Sequence, residues 1–448
     1  MDEIKLAQDI VSKAANQGAE AEVYFRVGRE TEIQVDQGKV ENLSHAGNKG
    51  MGVRIILDGS EGYAYTSDFS PGSVEKSWQS AFELAKVGDQ DPFRGLPEPG
   101  EIAAEDLEIF DGTIAQTQIA EKIAFALEVE RAALGFDKRI VLTNRCTYFD
   151  HDITVYLVNS KGFSGSYKQT RIASYLNAIA REGEFTSMAL GIGASTHMAD
   201  LNAQEIGTEA GMNAIRMLGG KPVPSQEASV VFSPLVASQL ITFLSLALKA
   251  DEMQMGRSFL LGRMGEDVAS DIVSLLDNGR LRRGLASAPF DAEGVPSRAT
   301  KVIDEGMLQA VLHDSYTARK AGLQSTGNAI RRSHRQPPEL FPTNFYLQPG
   351  EMTPEAILSG VERGLYVLNT MTTGGINPVS GDYSVAARGI WIENGEFMQP
   401  VNEVTLAAPM DQMLKHVSAV GNDLRFVPMF GVFGSPTIRI DGMTIAGK

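Results

Sequence analysis

Glu20-Ala21-Glu22-Val23-Tyr24-Phe25-Arg26-Val27, followed after three residues by Thr31-Glu32-Ile33-Gln34-Val35, is the stretch from which the fold can be read. Both runs are rich in β-branched and aromatic residues and are too short for helices, so each predicts a strand. Upstream, Ile4 to Ala15 has helical periodicity. Downstream, Gly52 to Leu57 and Gly62 to Thr66 are strand-like, and Ser70-Pro71 opens a helix running to about Lys86. A capping hydroxyl followed by proline suits a first helical turn, because proline has its φ already set and no N–H to leave unpaired. After an acidic connector, Gly88 to Asp111, the order returns. A helix from about Gln116 to Leu134 precedes strands near Arg139 to Leu142, Thr154 to Asn159, Phe163 to Lys168, Arg171 to Ala180 and Met188 to Ala194, and a helix from about Asn202 to Leu218 closes the series. The pattern predicts two related units, residues 1–90 and 112–219, each a helix, an antiparallel meander and a helix, since the links are too short for parallel crossovers.

Gly219-Gly220-Lys221-Pro222-Val223-Pro224 is a cluster of turn formers and marks a boundary between an N-terminal domain, 1–221, and a C-terminal domain, 222–448. The second domain contains hairpin signals at Val302 to Leu308 and, with an Asn-Gly turn, at Trp391 to Phe397. Helical pieces at about Ser315 to Ala321, Pro354 to Gly364 and Met410 to Val420 lie among strands, ending with Thr437 to Ile440 and Met443 to Ile445. The fold class is therefore α+β in both domains, with antiparallel sheets.

Length and composition narrow the function. The chain has 448 residues, 43% apolar and 21% charged, which is an ordinary globular composition. A net charge of −16 disfavours nucleic acid and anionic membrane surfaces as direct ligands. Cys146 is the single cysteine, which rules out an intrachain disulfide and a thiolate-rich metal site within one chain. Acidic residues stand at Asp2 and Glu3 where a signal peptide needs a basic flank, no apolar core of signal type follows, and with a single cysteine the expectation is a cytoplasmic protein. Ala228 to Leu248 is 21 residues without a charge, but its hydroxyls and Pro234 divide it into a short strand and a core helix, so no membrane span is expected.

Local motifs are sparse. Ser73-Val74-Glu75-Lys76 fits S-x-x-K but falls in the first turn of a helix, where capping or surface exposure is the expected role. His151 and His313 are read as exposed or hydrogen-bonded imidazoles rather than metal ligands. Arg331-Arg332-Ser333-His334-Arg335 reads as a solvated loop, with an anion site or a dock for an acidic partner as the alternative. The glycine-rich Thr372 to Ser384 reads as a complex turn, with ligand lining by Gly374, Gly375, Asn377, Ser380 and Asp382 as the alternative.

Six pieces in order resemble one family: Ser258 to Glu266, Gly284 to Gly294, Ser315 to Lys320, Ser380-Gly381-Asp382-Tyr383-Ser384, Glu393-Asn394-Gly395-Glu396 and Val420-Gly421-Asn422-Asp423. Together they resemble the TldD/PmbA family, also called the modulator of DNA gyrase family, and the likeness extends over essentially the whole chain. The resemblance implies a two-domain α+β fold and a cytoplasmic metallopeptidase assembly acting on peptides. It further implies that a TldD-type chain would carry H-E-x-x-x-H on the helix after Pro234, with a later cysteine as third zinc ligand. The corresponding slots fall near Ile241, Thr242 and Leu246, no His or Glu occurs from Ala228 to Asp251, and no cysteine follows Cys146. Apolar side chains bind no zinc, so the chain resembles the PmbA/TldE-type branch. No catalytic residue, metal or cofactor is expected in it. Zinc is expected in a TldD-type partner subunit, extended peptides are the expected substrates, and a homodimer of the isolated chain is the alternative assembly. Two rival functions are a regulatory binding protein linked to DNA gyrase and a free-standing hydrolase using Ser380, Asp382 and His313.

Overall fold

Strand β1, Glu20–Asp36, runs unbroken through both of the runs quoted first. The computed structural model describes residues 3–371 and 374–448. β1 turns into β2 (Lys39–Leu57) and β3 (Ser60–Thr66), and the second meander comprises β4 (Ile140–Asn159), β5 (Ser164–Glu182) and β6 (Phe185–Ser195). These strands are longer than the apolar runs that predict them: β4 joins Arg139 to Leu142 with Thr154 to Asn159, and β5 joins Phe163 to Lys168 with Arg171 to Ala180. The residues between the β4 runs stay paired with β5 across a bulge between Asn144 and Thr147, and Cys146 and Tyr148 among them are buried in the apolar core.

The two meanders form one six-stranded sheet in the order β3-β2-β1-β4-β5-β6. They meet where β1 and β4 pair antiparallel, with Val23 opposite Val158 and Glu30 opposite His151. One face carries the helices. Helix α1 (Glu3–Ala15) buries Ala7, Ile10, Val11 and Ala14, an i, i+3, i+4, i+7 stripe, in a core shared with Val23, Phe25 and Val53. The same core takes α2 (Pro71–Val87) through Val74, Trp78 and Phe82. After the short α3 (Gly112–Gln116), α4 (Ile119–Leu134) and α5 (Ala203–Arg216) cover the other meander. They approach closely because position 207 is glycine: a Cβ there would collide with the Val129 carbonyl.

In the C-terminal domain β7 (Gln226–Phe232) leads into α6 (Pro234–Ala247). A seven-stranded and a six-stranded sheet share a large apolar core with α6. Most pairings are antiparallel, but Asn344–Leu347 pairs parallel with Val432–Ser435, and β7 pairs parallel with Arg363–Thr370. The Asn394-Gly395 turn has both residues at positive φ, 52° and 80°, as the mirror-image hairpin turn requires. The helix expected to reach Val420 stops at Lys415, because Val417 and Val420 pair with the strand at Ile440 and Ile438 instead. Among the described residues no helix is long and apolar enough to cross a membrane.

Candidate functional site

The helix-free face of the N-terminal sheet is built in rows. Tyr24, Leu157 and Gly165 form one row, Arg26, Val155 and Tyr167 the next, then Gly28, Ile153 and Gln169, and finally Glu30, His151 and Arg171. Loops of the C-terminal domain cover this face. Phe290 packs edge-on against Phe163 and Tyr167, with ring centroids 4.9 and 5.2 Å away. Gly50 and Gly52 of β2 clear a lane for residues 331–335: a Cβ on Gly50 would strike the His334 ring, and one on Gly52 the Tyr63 hydroxyl.

Two residues of the basic run, Arg331 and His334, are thus buried in a clamp onto the N-terminal sheet, contrary to the solvated loop expected from its charge, whereas Arg332 and Arg335 are exposed as expected. The Arg331 side chain is 1% exposed and pairs with Glu22. Its guanidinium also stacks over Tyr24, 4.9 Å from the ring centroid. Beside it, the buried Arg54 bridges Glu61 and Glu293, each at 2.9 Å. Burial raises the Glu22 carboxyl above its ordinary range, and Arg331 and Arg54 offset only part of that. Burial would raise Glu293 too, but Arg54 and the Ser315 hydroxyl hold it below its usual value.

Sheet and loops enclose a cavity of about 470 Å³ lined by Arg26, Arg171, Arg331, Tyr24, Tyr167 and Phe290 among others. Its size is that of a small-ligand site. His151, expected to be exposed or hydrogen-bonded, is 6% exposed and its Nε2 has no hydrogen-bond partner. Burial, followed by the charges of Arg171 and Arg26, drives its pKa down to about 2, so the imidazole is neutral. A second interdomain cleft, of about 630 Å³, holds Arg425 paired with Glu209 and Arg283 paired with Asp200.

Neither the hydrolase parts nor the glycine-rich segment lie in the first cavity's lining. Thr372 and Thr373 fall outside the described residues. Ile376–Asn377 pairs with Asp382 and Tyr383 in a tight hairpin. Its polar groups bond among themselves: Ser380 donates to Asp382, and the Asn377 Oδ1 accepts from the Val379 N–H at 2.9 Å. Gly381 has positive φ, 79°, whereas Gly375 does not use that freedom. Gly375 is needed for a different reason, since a Cβ there would collide with the Ser384 carbonyl. His313 is buried with its Nδ1 3.3 Å from the Thr317 hydroxyl. Ser73 donates to Asp68 at 2.6 Å at the start of α2, which is the bonding of a helix-start turn and not of a nucleophile–base pair.

The side chains at the positions that the resemblance assigns to zinc offer no metal ligands. Ile241 is buried in the apolar core, the Thr242 hydroxyl donates to the Ser238 carbonyl at 2.8 Å, and Leu246 is a half-buried aliphatic side chain. Among the described residues no group of three or more His, Cys, Asp or Glu side chains is placed to hold a metal.

Sequence reasoning passed over Arg26 and Arg171. The available signal was period two: Tyr24 and Arg26, and Tyr167, Gln169 and Arg171, alternate along their strands and so share one face.

Fold and cleft define an α+β protein in which an N-terminal six-stranded sheet closes a cleft against loops of the C-terminal half. The chain belongs to the PmbA/TldD metallopeptidase family. The family's domain 1 matches residues 21–86, its central domain 112–218 and its C-terminal domain 225–447. The metalloprotease PmbA of Escherichia coli O157:H7 is 30% identical over 429 residues, covering 94% of this chain and 92% of the relative. A Thermotoga maritima protein provisionally described as a modulator of a DNA gyrase is 27% identical, with a TM-score of 0.89 and 99% of both chains covered. TldE from Thermococcus kodakarensis has the same fold, with a TM-score of 0.92 at 21% identity, covering 99% of this chain and 100% of that one.

Proposed function

We propose that this chain is the non-zinc subunit of a heterodimeric cytoplasmic peptidase that processes or degrades unfolded peptides, with zinc held by a TldD-type partner. The observation that carries this reading is the donor set: a family member with aliphatic and hydroxyl side chains near the ligand slots, at Ile241, Thr242 and Leu246, and no thiol after Cys146. Zinc peptidase chemistry needs imidazole, thiolate or carboxylate ligands and an open position for water. What this chain supplies instead is shape. Its cleft can hold an extended chain, and the outer strands β3 and β6 end a sheet against which a peptide backbone could pair. Gly374, Gly375, Asn377, Ser380 and Asp382 are assigned as a second contact to the peptide. Direct binding of nucleic acid is not part of this role, in keeping with the net charge of −16.

The test is reconstitution. Mixed with a TldD-type chain, this protein should co-migrate in gel filtration and raise the cleavage rate of an unfolded peptide, while alone it cleaves nothing. Separate elution with an unchanged rate would refute the role.

A further inference from the structure

Four guanidinium groups line the interdomain cavity, and three have carboxylate partners. Arg26 pairs with Glu30 at 3.1 Å, Arg331 with Glu22, and Arg332 with Glu339. The fourth, Arg171, has no ion pair or hydrogen bond to its side chain among the described residues, and its buried Nε is without a partner. The one acid in the lining, Asp291, is already occupied, accepting from the backbone N–H groups of Glu293, Val295 and Ala329. Arg171 is half-buried, and its enclosed Nε, left without a partner, costs stability, which an anion entering the cavity would offset.

We propose that the cavity is a carboxylate pocket in which Arg171 binds the acidic group of an extended peptide, either a C-terminal carboxylate or an Asp or Glu side chain. This deepens the peptide reading above and rests on it for the kind of ligand. A guanidinium presents a planar fork that matches a carboxylate with two parallel hydrogen bonds. Burial, with Arg26 adding to it, lowers Arg171 to about 10, so it stays charged at neutral pH. His151, in the same row of the sheet, is neutral and adds no second charge. One unpaired cation therefore matches a single negative charge better than the double charge of a phosphate. The neighbouring wall is apolar, with Ile153, Val155 and Phe290, and suits the side chain that accompanies the acid.

The experiment is calorimetric titration of the isolated full chain with three probes: N-acetyl-Leu-Phe as the free acid, the same dipeptide as its amide, and N-acetyl-Glu-Leu-Phe amide. At least one acid-bearing probe should bind, and the plain amide should not. Binding of the free acid alone identifies a terminal carboxylate, binding of the glutamate probe alone an acidic side chain, and binding of both the shared chemistry. Arg171→Gln should weaken the binding at least tenfold while leaving the Tm of the unliganded protein unchanged or higher, the opposite of what loss of a structural ion pair does. Arg171→Lys, which keeps the charge and loses the fork, should also bind more weakly and serves if the glutamine variant fails to fold. Equal binding of acid and amide, no binding of any probe, or wild-type affinity in the variants overturns the pocket. Binding seen together with an inactive reconstituted complex would instead refute the subunit role alone.

Discussion

Asp277 is fully enclosed, yet its carboxylate accepts from Asn328 Nδ2 at 2.6 Å, the Thr343 N–H at 2.7 Å and the Thr343 hydroxyl at 2.9 Å. Burial outweighs these bonds and raises its pKa to about 6. The folded state therefore holds this proton more tightly than the unfolded chain, whose ordinary value is 3.8. The group's contribution is fully present below pH 3.8 and is lost as pH rises through about 6, a change on the order of 3 kcal/mol. Urea unfolding at several pH values between these limits should show wild-type stability falling with pH relative to Asp277→Asn, which has no proton to lose. Parallel pH profiles for the two proteins would show that Asp277 does not titrate in this window.

The elements show what sequence patterning can and cannot reveal. The apolar runs of β1, β4 and β5 were legible, but their union into long strands was not, because polar residues interrupt the pattern between the runs and are held by partners distant in sequence, as Asp150 is by Lys122 and Gln169 by the Leu285 carbonyl. In α6, the hydroxyl residues Ser238, Thr242 and Ser245 were legible as interruptions of the uncharged run. The structure adds that their hydroxyls donate to the Pro234, Ser238 and Thr242 carbonyls of the helix itself at 2.7, 2.8 and 2.7 Å. Placing Ile241→His, Thr242→Glu and Leu246→His in this helix should create no stoichiometric zinc site. It should instead cost about 2–5 kcal/mol, largely from replacing the buried Ile241 with a polar ring. Elemental analysis and denaturant unfolding of the triple variant check both outcomes, and retention of zinc would contradict the assigned geometry. The hairpin at Gly374 to Ser384 separates a turn from a peptide contact. Gly375→Val should destabilise the protein because its Cβ would meet the Ser384 carbonyl, whereas a Cβ at Gly374 meets nothing within 4 Å. Gly374→Val should therefore fold normally and slow peptide cleavage by the reconstituted complex; a wild-type rate would remove the hairpin from the peptide path.

At the scale of the whole molecule, the family was legible because its six motifs keep their order along the chain. The cleft was not. Arg171, Phe290 and Arg331 are far apart in sequence and meet only when the C-terminal loops settle on the N-terminal sheet, so no local window contains the site. The basic run misled for the same reason: its charge suggested solvent, but Glu22, more than 300 positions earlier, supplies the buried partner. The role of the molecule turns on whether the family's metal chemistry resides in this chain or in another. Elemental analysis of the isolated chain, purified without chelator and dialysed against zinc-free buffer, decides this most directly. The assignment as the non-zinc subunit predicts no stoichiometric zinc, and about one tightly held zinc per chain would contradict it.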